Sequence, residues 1–468
     1  MIPFSRGYNI PNTFSHSYIN FIYMTYVNKK AILKVGVIII LGVVLASATI
    51  SAGVLADAPA ESEYSDILNN TDGDGTLSNP YVLTKLDELQ AVQGDLSSHY
   101  VLGNDINASE TEMWNSGAGF KPIGSLSNSF SGNFDGKGYT VDGLYINRPN
   151  IYRVGLFGII SSDIKNIGVT NIDIQGMNDV GGLVGFTEGS TTITNSFSSG
   201  NVSGGIEVGG LVGAVTNTTI EKSYSHSSVN GNYKVGGLVG ENILSSNITQ
   251  SYSTGAVSGN SDVGGLVGHN RDSSNITKSY SHSNVSGDSP VGGLVGYNVY
   301  GGSITQSYST GAVSGNSDVG GLVGENRDSS NITKSYSTGL VSGNSDVGGL
   351  LGYNDDSTVK DSYWNVETSN KSTSAGSAIG LTTADMTGSE AATNMVGFDF
   401  KSEWRTVSAS DADSAADSYP IILDSSEEEE AVIVSESSSE EYGGMSTLVS
   451  VALLFVLFSV MVLLLVKD

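Results

Sequence analysis

The chain has no cysteine among its 468 residues and only 8 prolines. The lack of cysteine excludes disulfide bonds, thiolate metal sites and cysteine nucleophiles. Basic residues are scarce as well, since 21 Lys and Arg stand against 48 Asp and Glu, giving a net charge of −27. This charge argues against binding to nucleic acid or anionic lipid. It suits a protein bathed in salt or cations, which screen its self-repulsion.

Glycine is abundant, with 60 residues, and much of it belongs to a repeated block, Val-Gly-Gly-Leu-Val/Leu-Gly. Successive blocks are 27 or 28 residues apart, and a weaker copy begins at Val154. A fixed period of about 20 to 50 residues indicates stacked units that bury apolar surface only against their neighbours. The seven blocks begin at Val180, Val208, Val235, Val263, Val291, Val319 and Val347.

Each period reads as extended chain. The repeat 263–290 contains two strand-like pieces, the glycine block and Ile276–Ser283, with an Asn/Asp/Ser turn between them. Glycine is too dense for helices. At about 3.3 Å per residue, one period traces roughly 90 Å, which suits one coil of a β-solenoid better than a propeller blade. Ile276, Lys278 and Tyr280 would lie on the same face of a continuous strand. Because a Lys does not belong on an apolar face, we expect a bend in this piece.

Two columns of like residues favour parallel, in-register stacking of about eight coils. Aromatic rings that recur every 27 or 28 residues can stack; they are Phe197, Tyr224, Tyr252, Tyr280, Tyr308, Tyr336 and Tyr363. Asparagines follow the blocks, where an amide can bond its own turn or the amide of the next coil; they are Asn242, Asn270, Asn298, Asn326 and Asn354. The block glycines provide either positive φ or close backbone approach.

The segments around the repeats differ from them in pattern. Residues 61–153 predict an N-terminal cap and the first coils, with a short helix over 84–92 whose N-cap is Thr84. Residues 154–364 hold the repeats. From 365 to 423 the period is lost, and residues such as Trp404 and Phe398 provide apolar material for a C-terminal cap over the last coil.

Both ends of the chain carry membrane signals. Basic residues precede the apolar run 35–48 and small-residue cleavage sites follow, so residues 1–58 predict an N-terminal extension with a secretory signal. The alternative is an uncleaved anchor, and Met24 is a second candidate start. Residues 424–446 form an acidic Ser/Glu-rich stalk. Residues 447–466 predict a transmembrane anchor, which places the repeats outside the cell at the cell surface.

The repeated Gly-Gly-Leu-Val-Gly, with its intervening Ile-Thr-x-Ser-Tyr-Ser-Thr-Gly-x-Val-Ser-Gly, resembles the GLUG repeat family of bacterial and archaeal surface proteins. The flanks are similar too, at Phe120–Gly124, Phe130–Gly138, Asp361–Trp364 and Gly380–Met386. The resemblance implies an all-β fold, a right-handed parallel β-helix. Some family members are secreted peptidases or adhesins, and no protease domain remains here once repeats, caps and anchor are subtracted.

One calcium-site candidate stands before the repeats. Asn70, Asp72 and Asp74 follow the spacing of the first half of an EF-hand loop, but Tyr81 occupies the position of the bidentate Glu. A polar turn is the alternative reading. No other cofactor is expected.

Catalytic candidates are weak. The pairs Asp355–Asp356, Arg271–Asp272 and Arg327–Asp328 are similar to cleft residues of β-helical polysaccharide lyases, but their recurrence favours surface salt bridges. His226 and His282 take a slot that is Thr in other repeats, so we expect a surface position and no triad. The glycine block lacks the following helix and the Lys of a phosphate loop. No catalytic residue is predicted.

Nine Asn-x-Ser/Thr sequons are candidate glycosylation sites for an exported chain, although Ser/Thr-rich repeats also generate them by chance. They are Asn69, Asn107, Asn201, Asn217, Asn247, Asn275, Asn284, Asn331 and Asn370.

The sequence therefore favours a non-enzymatic, membrane-anchored surface protein with a role in adhesion, envelope structure or contact with extracellular glycans and proteins. The basis is the lack of any non-repeated cluster of acids, bases and metal ligands. Two alternatives stay open: a β-helical polysaccharide lyase or hydrolase, and a calcium-dependent sugar-binding module.

Overall fold

The computed structural model describes residues 57–406 and 418–423. Its main body is a parallel β-solenoid in which each coil adds one strand to several sheets. In the regular part, one coil runs through Ser261–Gly264, Val267–Asn270, Asn275–Thr277, Tyr280–Ser281 and Val285–Ser286. The all-β parallel solenoid with coils of about 28 residues is thus confirmed. Its right hand remains an expectation from the resemblance.

The strands that begin each glycine block form the first sheet, which is parallel and has seven strands. They are Asn178–Val180, Ile206–Gly209, Tyr233–Gly236, Ser261–Gly264, Val291–Gly292, Ser317–Gly320 and Ser345–Gly348. The strands that end each block form the second sheet, with eight strands. They are Phe157–Ile160, Val184–Thr187, Val212–Thr216, Val239–Ile243, Val267–Asn270, Val295–Asn298, Val323–Arg327 and Leu351–Asp355.

The third sheet has eleven parallel strands and extends beyond the regular repeats toward the N-terminus. Three coils therefore precede the eight that carry second-sheet strands. Its strands are Tyr81–Leu83, Tyr100–Leu102, Phe134–Asp135, Ile164–Lys165, Thr191–Thr194, Thr218–Glu221, Asn247–Thr249, Asn275–Thr277, Ser303–Thr305, Asn331–Thr333 and Thr358–Lys360.

The fourth sheet consists of two parallel stacks, which the long strands Gly168–Gln175 and Phe197–Ser203 join. Its other strands are Ile106–Asn107, Thr140–Asp142, Tyr145–Asn147, Tyr224–Ser225, Ser228–Asn230, Tyr252–Ser253, Val257–Ser258, Tyr280–Ser281, Val285–Ser286, Tyr308–Ser309, Val313–Ser314, Tyr336–Ser337, Val341–Ser342, Tyr363–Asn365 and Ile379–Leu381. A separate antiparallel pair is formed by Trp404–Arg405 and Ile421–Ile422.

Short helices lie at both ends of the described chain. The α-helices are Tyr64–Asn69, Leu86–Ala91, Thr383–Met386 and Gly388–Asn394, and the 3₁₀ segments are Glu61–Glu63, Val92–Gly94 and Ser109–Gly117. The helix expected over 84–92 is present but shorter, with Lys85 as its N-cap. Thr84 instead donates its backbone N–H to Glu88 Oε2 at 2.7 Å. No helix in residues 57–406 or 418–423 has the length and apolar character needed to cross a membrane.

The glycine blocks serve close backbone approach, since none of their glycines has a positive φ. A Cβ added at Gly265 would lie 2.0 Å from the carbonyl oxygen of Gly293 and 2.2 Å from Ser281 Oγ. The core beside it consists of Val, Leu and Ile columns, such as Val263, Leu266 and Ile276. The corners are made by non-glycine residues with positive φ; Lys278, at φ 49°, makes the bend that the sequence indicated.

Two ladders of buried polar side chains tie the coils together. Asn242, Asn270, Asn298, Asn326 and Asn354 form one chain of amide hydrogen bonds of 2.7–2.9 Å along the stack. Sequence reasoning did not identify the second ladder, in which each serine Oγ accepts the backbone N–H of the serine one coil before it. An example is Ser251 N donating to Ser279 Oγ at 3.2 Å. Each ladder satisfies polar groups that burial would otherwise leave unpaired.

The aromatic column also stacks, but outside the solenoid core. Rings from Phe197 to Tyr336 lie 4.8–5.0 Å apart and within 10° of parallel. Tyr363 is in register with Tyr336 and packs its ring edge-on against Phe398. The tyrosines from Tyr252 onward form a second apolar cluster with residues of the C-terminal segment.

The C-terminal segment differs from the cap that the sequence predicted. Ile379–Leu381 does continue the fourth sheet beyond Tyr363–Asn365. The following residues then return along the flank, where Trp404 packs on Tyr308 and Tyr336 at 6.2 and 5.9 Å between ring centroids. The reason is that the tyrosine ladder offers a continuous apolar flank to cover.

Candidate functional surface

The coils differ from one another in a few rows of side chains, and we call one of these rows the variable stripe. Its members occupy the position after the last glycine of each block, where neighbouring residues pair across the second sheet. At a strand spacing of about 4.8 Å, seven positions extend over about 30 Å. They are Phe186, Ala214, Glu241, His269, Tyr297, Glu325 and Tyr353.

A charged cluster occupies the middle of the stripe. Lys234, at the positive-φ corner of the first sheet, has its Nζ 2.7 Å from Glu241 Oε1 and 2.9 Å from Glu207 Oε1. Arg271 Nε lies 2.9 Å from Glu241 Oε1. His269 Nδ1 is 3.2 Å from an oxygen of Asp262, although the angle there is poor for a hydrogen bond.

This cluster differs from the expectation that no non-repeated group of acids and bases exists. Its residues come from three successive coils, and only stacking brings them together. The side chain of Glu241 is 4% exposed and both cations on it are within 3 Å. Such an arrangement compensates buried charge and leaves Glu241 little freedom to act on a substrate.

Burial and neighbouring charge alter the pKa values along the stripe. Burial, together with nearby Asp179, raises the pKa of Glu207. For Lys234, burial alone would lower the pKa, but the hydrogen bond and charge of Glu241 outweigh it and the pKa is raised. Burial raises the pKa of Glu325. Burial and the charge of Glu325 raise the pKa of Tyr297 to about 12.

Aromatic rings lie toward both ends of the stripe, and cations stack on two of them. The guanidinium of Arg153 lies 5.0 Å from the ring centre of Phe186, and that of Arg327 lies 4.8 Å from the ring centre of Tyr353. Tyr297 is half-buried beside His269. Such rings offer apolar faces with polar neighbours, as binding surfaces often do.

The predicted acid–base pairs lie partly within this stripe. Arg271 does pair with Asp272 as well as with Glu241. Arg327 pairs with Glu325. Asp355 and Asp356 are exposed at the next coil, and Asp355 pairs across the sheet with Arg327.

The histidine slot lies away from the stripe. His226 and His282 are half-buried beside the tyrosine ladder, where each Nδ1 lies 2.6 Å from a threonine hydroxyl one coil later. The described part of the chain holds no group of three His, Asp or Glu side chains placed to bind a metal ion.

The calcium candidate forms a turn organised by its own hydrogen bonds. Asn70 ends the helix Tyr64–Asn69 and donates to the carbonyl of Asp66 at 2.7 Å. Asp74 Oδ1 accepts the backbone N–H and hydroxyl of Thr76, and these bonds lower the pKa of Asp74. Asp72 bridges to Val82. Calcium binding by this turn stays a prediction.

All nine sequon asparagines reach solvent. Asn247 and Asn275 are half-buried, and the other seven, Asn69, Asn107, Asn201, Asn217, Asn284, Asn331 and Asn370, are exposed. Their occupancy by glycans stays a prediction. The expected signal at 1–58, stalk at 424–446 and anchor at 447–466 lie outside the described residues, apart from 57 and 58.

The fold and repeated blocks define the chain as a parallel β-solenoid repeat protein. The model of the GLUG motif matches residues 178–203 and 289–314. The chain therefore contains GLUG motifs, as the resemblance predicted.

Three relatives match parts of the chain. Halomucin of Haloquadratum walsbyi is 40% identical over 152 residues, which are 31% of this chain and 2% of Halomucin. A candidate Gly-rich membrane protein of Evansella cellulosilytica is 34% identical over 30% of this chain and 20% of its own length. The immunoglobulin A1 protease of Streptococcus sanguinis is 29% identical over 28% of this chain and 6% of that protein. The matches thus span small parts of these relatives.

Solved structures of immunoglobulin A1 proteases are similar over larger parts of the chain. A candidate from Bacteroides ovatus has a TM-score of 0.46 at 19% identity, covering 75% of this chain and 94% of that one. A second IgA1 protease has a TM-score of 0.38 at 20% identity, covering 61% of this chain and 22% of that one. Likeness at this level carries no argument about activity.

Proposed function

We propose that this chain is a non-catalytic protein of the cell surface that contacts extracellular carbohydrate through the variable stripe. The observation that carries the proposal is the contrast between an almost invariant scaffold and one row of differing charged and aromatic side chains. A rigid row of about 30 Å is long enough to contact several units of an extended polymer.

Side chains of the stripe have the chemistry that polysaccharides require. The half-buried rings of Phe186, Tyr297 and Tyr353 offer apolar faces for sugar rings. Glu325 and Arg327 beside them offer hydrogen-bonding groups for hydroxyls. The coils hold these groups in place by backbone ladders, so little conformational entropy is lost on binding.

Surface location is part of the proposal. It is supported by the apolar sequence segments at 35–48 and 447–466 and by relatives named Halomucin and Gly-rich membrane protein. A membrane anchor at the C-terminus would hold the solenoid outside the cell on its acidic stalk, where polysaccharides of the envelope or of other cells are in reach.

A polysaccharide lyase or hydrolase is the second candidate. The observation that favours it is the cluster of Glu207, Glu241 and Asp262 around Lys234 and Arg271. Against it, the cations neutralise Glu241, and its side chain is 4% exposed. A reacting carboxylate has to reach its substrate.

The test uses the full chain on an array of polysaccharides, with and without calcium, and measures sugar fragments released in the same wells. We expect retention without release. The double variant Tyr297→Ala/Tyr353→Ala should lose at least fivefold in retention, while Tyr139→Ala, which removes an exposed ring (37%) outside the stripe, should not. Released fragments, or no retention of any polysaccharide, would contradict the proposal. Retention only with calcium would favour the sugar-binding module instead.

A further inference from the structure

A cavity of about 520 Å³ lies between two turns of the early coils. One wall is the turn with Lys121, Pro122 and Leu126, and the other is the turn from Arg148 to Arg153. Its volume falls within the range of about 300 to 1,000 Å³ that is usual for ligand sites. Arg153 also stacks on Phe186, so the cavity adjoins the N-terminal end of the variable stripe.

Hydrogen bonds donated by backbone N–H groups hold both walls. Met177 donates to the carbonyl of Ile151 at 2.8 Å, and Arg153 donates to Asn178 at 2.8 Å, which ties the second turn to the next coil. Lys121 N donates to Gln90 Oε1 at 2.9 Å, which ties the first turn to a helix. The cavity is therefore preformed and does not depend on a ligand to order it.

Three cations line this cavity, and no carboxylate does. That is unusual in a chain with 21 basic and 48 acidic residues. Lys121 pairs with Glu61, and Arg153 has its Nε 3.4 Å from Asp179. Arg148 has no carboxylate partner among the described residues.

The guanidinium of Arg148 is fixed in place by carbonyl groups. Nε donates to the carbonyl of Phe120 at 3.1 Å and an Nη donates to that of Gly119 at 3.2 Å. Burial lowers the pKa of Arg148, but a guanidinium stays protonated in proteins. Its remaining N–H groups are free to meet an anion, and a carboxylate matches that planar fork well.

Apolar side chains complete the cavity. Tyr152 is 54% exposed, Ile151 50% and Leu126 77%. A second cavity, near Lys85, is lined by Asp105 and Glu110 as well. A third, along the fourth sheet, has no charged lining residue. Only the cavity at Arg148 thus combines uncompensated positive charge with an apolar wall among these three.

We infer that this cavity binds a uronate residue of an acidic polysaccharide, with the sugar carboxylate on Arg148 and the sugar ring against Tyr152. The inference deepens the proposed function and rests on it. Binding at this site would fix the direction in which a polymer runs along the variable stripe from Phe186. It would also favour acidic polymers over neutral ones. Selection by charge is favoured here because this cavity is lined by cations in a chain whose net charge is −27.

The test measures binding of the full chain to oligogalacturonate by calorimetry, with fully methyl-esterified oligogalacturonate as the neutral match and dextran sulfate as a second polyanion. We expect the free acid to bind at least tenfold more tightly than the ester. Arg148→Gln should abolish that preference. Tyr152→Ala, an exposed position where folding is not at risk, should weaken binding of both at least threefold. Lys360→Gln removes an equal charge at a site that is 70% exposed and should change neither.

The outcomes separate this inference from the proposed function. Equal binding of acid and ester, or wild-type preference in folded Arg148→Gln, would overturn the inference. If Tyr297→Ala/Tyr353→Ala still loses retention of another polysaccharide, the proposed function stands without it. Tighter binding of dextran sulfate than of the uronate would overturn the assignment to a carboxylate. Absence of binding to every polysaccharide would overturn both.

Discussion

The regular coils from 178 to 360 and the irregular coils before 178 stack by the same parallel ladders, but they fill the space inside differently. In the regular coils, glycines bring the backbones close and small polar side chains bond along the stack. In the irregular coils, the large rings of Phe130 and Phe134 each pack 5.2 Å from the ring of Phe157, measured between ring centroids. The regular coils can therefore repeat with a fixed period because their interior side chains are small and alike. The irregular coils depend on specific packing between large side chains.

The largest expected effect is in the irregular coils, where removing volume should be most damaging. Phe130 is completely buried among aromatic rings, so Phe130→Ala should lower the free energy of unfolding by about 3–5 kcal/mol. Urea unfolding followed by circular dichroism measures it. Leu126→Ala, at a site that is 77% exposed nearby, should change it by less than about 0.5 kcal/mol. Equal effects would show that the rings do not form the core of these coils.

In the regular coils, adding side-chain volume should lower the free energy of unfolding. Gly265→Ala puts a Cβ 2.0 Å from the carbonyl oxygen of Gly293, which the backbone can relieve only by moving coils apart. We expect a loss of about 3 kcal/mol, the upper part of the usual range for overpacking. Ser286→Ala, on the exposed side of the same coil, is the control and should stay near wild type. If Gly265→Ala leaves the free energy of unfolding unchanged, the close approach of neighbouring coils at this position is contradicted.

The amide ladder should contribute less than the glycines. Asn298→Ala removes an amide that bonds Asn270, Asn326 and the carbonyl of Gly302, and leaves buried partners unpaired at about 1–3 kcal/mol. Asn316 offers a matched control, because it bonds the neighbouring coils in the same way but is exposed. Asn316→Ala should cost less than about 0.5 kcal/mol. Comparing the urea midpoints of the two variants shows how much of the loss comes from burial of the amide and how much from its hydrogen bonds alone.

The smallest effect is on pH dependence, and it should have opposite signs in the two regions. Burial alone would raise the pKa of Glu88, but hydrogen bonds from Thr84 and Lys85 outweigh it and lower the pKa. Stability from Glu88 is thus present above the unfolded pKa of about 4.3 and is lost as pH falls through the folded value. Glu207 and Glu325 have raised pKa values, so their protonation on acidification stabilises the folded state.

Hydrogen exchange resolved by region checks this contrast between pH 6 and 4. We expect protection to fall around residues 81–102 and to hold or rise around 206–243 and 323–327. Glu88→Gln should remove the loss in the first region. A parallel decline in both regions would contradict the assigned directions.

The period made the regular coils predictable, because one set of spacings recurs seven times and both the Asn and Tyr columns can be seen in it. The irregular coils have no such redundancy, so only their strand-like runs and one short helix could be read. The return of 383–406 along the tyrosine ladder was missed, since an apolar segment after a stack fits an end cap equally well.

The charged cluster was missed for another reason. Lys234, Glu241 and Arg271 are each unremarkable in their own repeats, and their proximity follows from stacking in register. Writing the repeats beneath one another and reading down the columns on both sides of each block, which hold Lys234, Glu241 and Arg271, would have found it. The cavity at Arg148 had no such signal, because its two turns lie where the period is absent.

The most direct test of the account is hydroxyl-radical footprinting of the full chain with and without a retained polysaccharide. The account predicts that oxidation of Tyr152, Tyr297 and Tyr353 falls in the complex, while oxidation of Tyr139 stays unchanged. Protection confined to Tyr139 or to residues of the fourth sheet, with the stripe rings oxidised as in the free protein, would contradict it.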